Sequence, residues 1–367
     1  MDTSQKNWPL IAFFCGFLAI ISILFLCLPP KSVSPVEKRT LEPFPSVSAS
    51  AIANGRFEAG MDRYVSDHIP GRTLWVGAYS YFCLATGRNG WNGIYAGKDG
   101  YLLREPISPD YEALSRNLSY IRSFLSAAEI PATMLIVPSA GAVLPGKLPQ
   151  NHDVYYDAEL LSLAKAQLES SASWIDLSSS FEPLAELEPL FYRTDHHWTS
   201  LGAYYAYCAW RDIEPAAGEW TQEILCGNFR GTTWNKVPLP TVPAEEITAW
   251  YQHPTRHVSY NNGQYETESI YERKYLSGSD QYAVFLNSNQ AQTVIEGSGK
   301  NGKLLLIKDS YGNTFSQFPV EDYAEVHVLD LRFFKGDVAE YAKENGITDT
   351  LVLYGTQNFV KATNLRF

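Results

Sequence analysis

Apolar positions along this chain fall into three patterns. The first is a nearly unbroken run from Leu10 to Leu28, in which only Gly16 and Ser22 are not strongly apolar. Its length suits a helix that crosses the hydrocarbon core of a bilayer. Signal peptides usually have a shorter apolar stretch ending in small residues, whereas this one ends in Cys27, Leu28, Pro29 and Pro30 with no Ala-x-Ala pattern. We therefore expect an uncleaved signal anchor over residues 1–30. Leu24, Phe25 and Leu26 are bulky for a lipoprotein cleavage site before Cys27, which makes lipidation the weaker alternative. Lys6 on one side and Lys31, Lys38 and Arg39 on the other do not orient the span. A domain outside the cytoplasm, on a single-pass cell-membrane protein, is the default for one N-terminal anchor.

The second pattern is helical. After a Pro- and Ser-rich linker over 31–50, expected as an extended tether, the globular part starts near Ala51 and runs to 367. FEAGMDRYVSDHI and TLWVGAYSYFCLA read as helices on either side of a Pro70-Gly71 break, and Tyr111 to Ala128 is amphipathic. NGIYAGKDGYLL reads as a hairpin turning at Lys98-Asp99-Gly100.

The third pattern consists of short apolar, β-branched runs at 132–139, 173–178, 303–310, 324–332 and 349–355, with helical stretches between several of them. Continuous apolar strands of this kind belong to a parallel sheet covered on both faces, so the expected class is α/β. Residues 220–298 break the rhythm with polar and aromatic segments, and we expect an insertion or lid over the site there.

Composition narrows the function classes. Lys and Arg total 29 against 40 Asp and Glu, and the basic residues are scattered, which excludes a nucleic-acid surface. The 23 Tyr and 9 Trp exceed what a compact core needs, and spare aromatic faces suit sugars. Outside the apolar run the chain has only Cys83, Cys208 and Cys226, so at most one disulfide can form among them, with Cys208 and Cys226 the nearest pair. No metal-binding cysteine spacing is present, and no cofactor is expected.

Two segments carry chemistry. In KLLLIKDSYGN an apolar strand runs straight into Asp309-Ser310-Tyr311-Gly312-Asn313. A serine at a strand-to-helix turn sits at the carboxyl edge of the sheet, where backbone N–H groups can stabilise an oxyanion. A helix-capping serine explains the same segment equally well. In FYRTDHHWTSLGAYYAYCAW, Asp195 and His197 precede Thr199-Ser200, which can cap a helix. The carboxylate can accept the imidazole Nδ1–H and leave Nε2 to take a proton. His196 should point away from its neighbour in an extended loop, as a structural or substrate-side group. Metal ligation by Asp195, His196 and His197, with His253 or His257 joining from the insertion, is the lesser alternative, and a purely structural TDHHW remains open.

TDHHW at 194–198 followed by IKDSYGN at 307–313 resembles the DHHW protein family, related to the SGNH hydrolase-like domains of alginate O-acetyltransferases. EKRTLEPFPSVS, FEAGMDRYVSDHIPGR, GIYAGKDGYLL, FRGTTW, DQYAVFLNSNQ and VLDLRFF extend the resemblance over nearly the whole ectodomain. It implies a flavodoxin-like sheet with the catalytic blocks in circularly permuted order, Asp/His before Ser. It also implies Ser310 as nucleophile, His197 as base and Asp195 as its partner, with Trp198 completing the motif. Tyr311, Asn313 and His196 are further substrate-side or oxyanion positions; Asn289 and Asn358 are also oxyanion candidates, and the backbone N–H of Ser310 or Tyr311 is preferred. The activity implied is O-acetylation of a cell-surface or exported polysaccharide beside a multispanning membrane acyltransferase. A carbohydrate acetyl esterase with the same triad and a non-catalytic polysaccharide-binding or assembly protein are the alternatives.

Overall fold

The computed structural model describes residues 7–34, 39–362 and 365, so Lys6 and Lys38 lie outside the described residues. Two compact units divide the chain, Met1–Ala85 and Thr86–Phe367. The sequence placed the start of the globular part near Ala51, whereas the unit that carries the main sheet begins at Thr86.

In the first unit, helix α1 (Trp8–Cys27) buries none of its side chains and is long and apolar enough to cross a membrane. A minimal antiparallel pair follows, β1 (Val33–Ser34) with β2 (Arg39–Thr40). Helices α2 (Ala49–Ala53), α3 (Arg56–His68) and α4 (Arg72–Ala85) complete the unit. The break between α3 and α4 falls at Gly71, whose φ of +70° is cheap only for glycine. The expected tether touches α3: the Glu42 N–H donates to Asp67 at 2.9 Å, and His68 reaches the Lys31 carbonyl at 3.0 Å.

In the second unit, β3 (Gly90–Trp91), β4 (Ile94–Ala96) and β5 (Leu102–Arg104) form a small antiparallel sheet, with the expected turn at Lys98–Gly100 between the last two. Asp110 caps α5 (Tyr111–Ala128) by accepting the Ala113 N–H. The main sheet then takes β6 (Ala132–Val137), β7 (Ser173–Ile175), β10 (Val258–Tyr260), β11 (Tyr265–Thr267), β12 (Gln292–Glu296), β13 (Lys303–Lys308), β14 (Glu325–Leu329) and β15 (Asp349–Gly355). Its order is β11-β10-β12-β14-β13-β15-β6-β7. The five strands from β14 to β7 are parallel, and β12, β10 and β11 extend the β14 edge in antiparallel fashion.

The sheet is therefore mixed, which corrects the expectation of an all-parallel sheet. All five apolar runs became the parallel strands. The three antiparallel strands are short and half polar, so they carry no continuous apolar signal. They come from the segment expected as an insertion or lid, which also holds an antiparallel pair, β8 (Thr221–Phe229) with β9 (Glu245–Tyr251).

Alternation along the parallel strands builds two cores. Leu135, Val137, Leu304, Leu306, Leu351 and Leu353 face a layer rich in aromatic rings. Met134, Ile136, Leu305, Ile307 and Val352 face α5, α6 (Asp157–Leu168) and the C-terminal helices. On the aromatic side lies α7 (Ser200–Arg211), capped by Thr199, which accepts the Gly202 N–H at 3.1 Å. Cys208 and Cys226 are free thiols, and burial pushes both above the usual thiol range.

Gly202 fixes how closely α7 approaches the chain before it: a Cβ there would stand 2.2 Å from the Leu190 carbonyl oxygen. Gly→Ala inside a helix normally stabilises by about 1 kcal/mol. Here the obstacle is backbone, so Gly202→Ala should cost about 1–3 kcal/mol, seen as a lower urea midpoint with an unchanged slope.

Candidate active site

β13 delivers Lys308, Asp309 and Ser310 to the carboxyl edge of the sheet, and the five-residue helix α8 (Tyr311–Phe315) turns away from it. Ser310 occupies the cap position of α8, yet its side chain makes no capping hydrogen bond. Its hydroxyl lies 2.7 Å from His197 Nε2. The simple N-cap alternative is thus not what this side chain does.

The DHH segment is the tip of a tight loop. Phe191 bridges Trp198, the Tyr192 N–H reaches the His197 carbonyl, and Thr199 pairs back to Leu190. Such a loop is not extended backbone, which overturns the expectation that adjacent histidine side chains diverge. The His196 and His197 rings lie 3.8 Å apart, both beside Asp195.

Asp195 is buried, and its carboxylate is saturated with donors. Oδ1 accepts the His197 N–H at 3.0 Å and His197 Nδ1–H at 2.5 Å; Oδ2 accepts the Thr232 N–H at 2.5 Å and the Thr232 hydroxyl at 2.8 Å. Burial raises its pKa, but the two imidazoles and their hydrogen bonds outweigh that and hold the carboxyl well below its usual range. An ionised carboxylate only accepts, so Nδ1 of His197 carries the proton and Nε2 is free to accept from Ser310. Thr232 gives its hydroxyl proton to Asp195, so it accepts in turn from His196 Nδ1 at 2.8 Å. Burial above all pushes the His196 pKa well below the ordinary histidine value and keeps that ring neutral.

Asp195, His196 and His197 bring potential ligand atoms within 4.8 Å of one another, the group on which the metal alternative rested. Both carboxylate oxygens and three of the four ring nitrogens are already hydrogen-bonded inside the protein. His253 pairs with Glu321, and His257 lies near Glu266 and Glu268, so neither joins the group.

The remaining candidates act on the turn itself. Trp198 Nε1–H donates to the Tyr311 carbonyl at 3.1 Å, and the Tyr311 hydroxyl donates to the His196 carbonyl at 2.5 Å. The Tyr311 N–H goes to Asp309 Oδ1, which removes it as an oxyanion donor. Asn358 donates to Asp309 as well. Asn313 spends its oxygen on Lys308 and its nitrogen on Asn289. The Ser310 N–H is left as the backbone donor beside the Ser310 hydroxyl.

Sequence reasoning missed three supports, all from residues 220–298. Thr232 follows Gly231, where a Cβ would stand 2.3 Å from Asp195 Oδ2, so only glycine lets the two segments meet. Glu245 of β9 accepts the N–H groups of Arg193 and Thr194 and the Thr194 hydroxyl at 2.6–2.8 Å. The Tyr282 ring stacks on His197 at 4.1 Å and 8°. FRGTTW and DQYAVFLNSNQ were visible as family-like segments, but nothing in their local pattern gave these contacts. The segment forms a wall of the site rather than a detached cover.

Comparison with known proteins agrees with this architecture. Residues 84–221 match the SGNH hydrolase-like domain of the acetyltransferase AlgX. Residues 184–329 match the DHHW protein family, so the resemblance read from the sequence holds. A DHHW family protein from Eubacterium siraeum superposes with a TM-score of 0.63 at 23% identity, over 75% of this chain and 94% of that one. PatB1 of Bacillus cereus, solved with a sulfonyl adduct, gives 0.62 at 20% identity over 75% of this chain and 97% of that one. In sequence, the chain is 23% identical over 248 residues to a protein of Pseudomonas syringae pv. tomato named a probable alginate O-acetylase AlgJ. That match covers 62% of this chain and 60% of the relative.

The Asp195 charge gives a pH signature. Its folded pKa lies below the unfolded one, so its contribution to stability is complete above about pH 4 and is lost as pH falls through the folded value. The stability gap between the native chain and Asp195→Asn, measured by urea unfolding, should be flat from pH 7 to about pH 5 and shrink below about pH 4.

Proposed function

We propose that the chain is an extracytoplasmic O-acetyltransferase that modifies a cell-surface or exported polysaccharide through an acyl-serine intermediate. The observation that carries this is the unbroken chain from Ser310 Oγ to His197 Nε2 at 2.7 Å and from His197 Nδ1 to Asp195 at 2.5 Å. In the first half-reaction Nε2 takes the Ser310 proton as Oγ bonds to the acyl carbonyl carbon. The Ser310 N–H faces the developing oxyanion. Collapse breaks the bond to the donor's leaving oxygen, which receives the proton from His197. In the second half, a sugar hydroxyl loses its proton to His197, attacks the acyl carbon and displaces Ser310, which is reprotonated. Asp195 stays ionised throughout and stabilises the imidazolium.

The names of the relatives support acetyl transfer to a polysaccharide. The motif order supports a permuted fold: numbered from the Ser310 strand, the parallel core β14-β13-β15-β6-β7 becomes the 2-1-3-4-5 order of flavodoxin-like sheets. In that frame Asp195 and His197 follow the last strand, as they do in hydrolases whose serine comes first. Helix α1 supports a single-pass anchor that holds the site beside a multispanning membrane acyltransferase.

The test uses the full chain in neutral detergent with a chromogenic acetyl ester, with and without an oligosaccharide acceptor. Ser310→Ala should abolish labelling by a sulfonyl fluoride and lower ester turnover by about 10³-fold or more. Acetylated sugar should form with the native chain. Release of acetate alone at every acceptor concentration would make the protein an esterase. Ester turnover unchanged in Ser310→Ala would overturn the acyl-serine mechanism, and a native chain that neither turns over the ester nor takes the sulfonyl label would favour a non-catalytic binding role.

A further inference from the structure

We propose that helix α4 is a second membrane element: it lies beside α1 in the leaflet that α1 leaves at its C-terminal end, with its exposed apolar face against lipid acyl chains. Residues 73–85, TLWVGAYSYFCLA, hold no charged side chain. Leu74 is 77% exposed, Trp75 42%, Tyr79 41% and Phe82 60%, and at helical spacing these four share one face. The opposite face is buried and consists of Gly77, Ser80 and Cys83. A helix bathed in water turns its large apolar side chains inward. Here the small residues face the protein and the large apolar ones face out, which is the arrangement of a helix in lipid.

The contacts of α4 with α1 decide what covers that face. α1 buries none of its side chains and is long and apolar enough to cross a bilayer. Near its C-terminal end the Phe25 ring meets Tyr64 of α3 at 5.9 Å, and His68, at the end of α3, reaches the carbonyl of Lys31 beyond the span. After the turn at Gly71 the chain meets α1 again at a deeper level: the Trp75 ring lies 5.9 Å from Phe17. Phe17 stands about ten residues, roughly 15 Å, inside the end of α1. Two aromatic side chains span only part of that distance, so α4 sits below the level at which α3 ends, at the depth where interfacial helices bury their apolar face. Whatever flanks α1 at Phe17 flanks α4 too, and that is lipid.

Lipid also requires polar atoms to find their partners inside the protein. Trp75 Nε1–H donates to the Pro70 carbonyl at 2.9 Å, and the Ser80 hydroxyl donates to the Val76 carbonyl at 2.8 Å. Tyr79 and Tyr81 are of the residue type that gathers at membrane–water boundaries, and Arg72 and Arg88 flank the uncharged run as long cations that can reach the headgroups. Helix α3, on the other side of Gly71, carries Arg56, Glu58, Asp62, Arg63 and Asp67, and Arg63 pairs with Glu42 at 3.0 Å. One short unit thus offers a charged helix to water and an uncharged one to acyl chains.

The inference rests on the reading of α1 as a membrane anchor, and the experiment separates the two. The full chain is reconstituted in nanodiscs of phosphatidylcholine and phosphatidylglycerol, with p-benzoylphenylalanine replacing one residue at a time. The positions are Leu74 and Phe82 on α4, Phe13 on α1, and Leu187, which is 82% exposed in the second unit. Irradiation should add the mass of a phospholipid at Leu74 and Phe82 about tenfold or more above the level at Leu187, as it does at Phe13. Adducts at Phe13 with only the Leu187 level at Leu74 and Phe82 would overturn the placement of α4 and leave the anchor standing; that low level at Phe13 as well would remove both. A covalent dimer in place of the lipid adduct would also overturn it and assign the face to a second copy. A second measurement needs no photolabel. In the Trp8→Phe chain, acyl chains brominated near the headgroup should quench indole emission, and adding Trp75→Phe should remove most of that quenching. Equal quenching with and without Trp75 would overturn the proposal.

Discussion

The site depends on one buried carboxylate with no vacancy in its hydrogen bonding. Taking Asp195 out of water costs several kcal/mol unless hydrogen bonds replace those it loses. Four donors do so, two from His197 and two from Thr232, and they come from segments 35 residues apart in sequence. The same four bonds set the histidine tautomer, the ring orientation and the direction in which Nε2 points. Gly231 is what makes this possible, since any side chain there would occupy the carboxylate's place.

That constraint explains why residues 220–298 are integral to the protein. Thr232 and Glu245 hold the DHH loop from below, Tyr282 covers the His197 face, and the same segment supplies three strands to the sheet. A detached lid could not deliver a backbone N–H to a buried carboxylate with the required constancy. The polar and aromatic content that made this stretch look like an appendage reflects its work: short edge strands, capping donors and a stacking ring leave no apolar period to read.

What the sequence showed and what it hid follow the range of each signal. The five parallel strands, the capped helix after Thr199, the Lys98–Gly100 turn and the Asp195/His197 spacing are local, and each was visible in a window of a few residues. The antiparallel extension depends on pairings such as Val294 with His327 across the sheet, for which no local signal exists. The same holds for Asp309, which looked like part of a weak serine motif. In the structure it gathers the Tyr311 and Gly355 N–H groups and the Asn358 amide, tying the end of β13 to the turn beyond β15. The direction of the His196 side chain differs from the expectation for another reason. Its divergence from His197 follows for a strand, and the loop is held out of strand geometry by the Phe191–Trp198 bridge.

The two halves of the site are locked together by a reciprocal exchange that does not involve the Ser310 hydroxyl or the His197 ring. Trp198, one residue after His197, donates to the Tyr311 carbonyl, and Tyr311, one residue after Ser310, donates to the His196 carbonyl. Both residues are buried, so breaking either bond would leave a buried donor without its partner, at about 1–3 kcal/mol. The separation of Ser310 and His197 is therefore fixed by their neighbours, not by their own hydrogen bond. A serine hydroxyl and an imidazole in water meet only briefly, and a scaffold that holds them at 2.7 Å supplies in advance the ordering that the proposed acyl transfer would otherwise require. The motif couples over a hundred residues of sequence because the residues flanking the chemistry, not the chemistry itself, carry the fold.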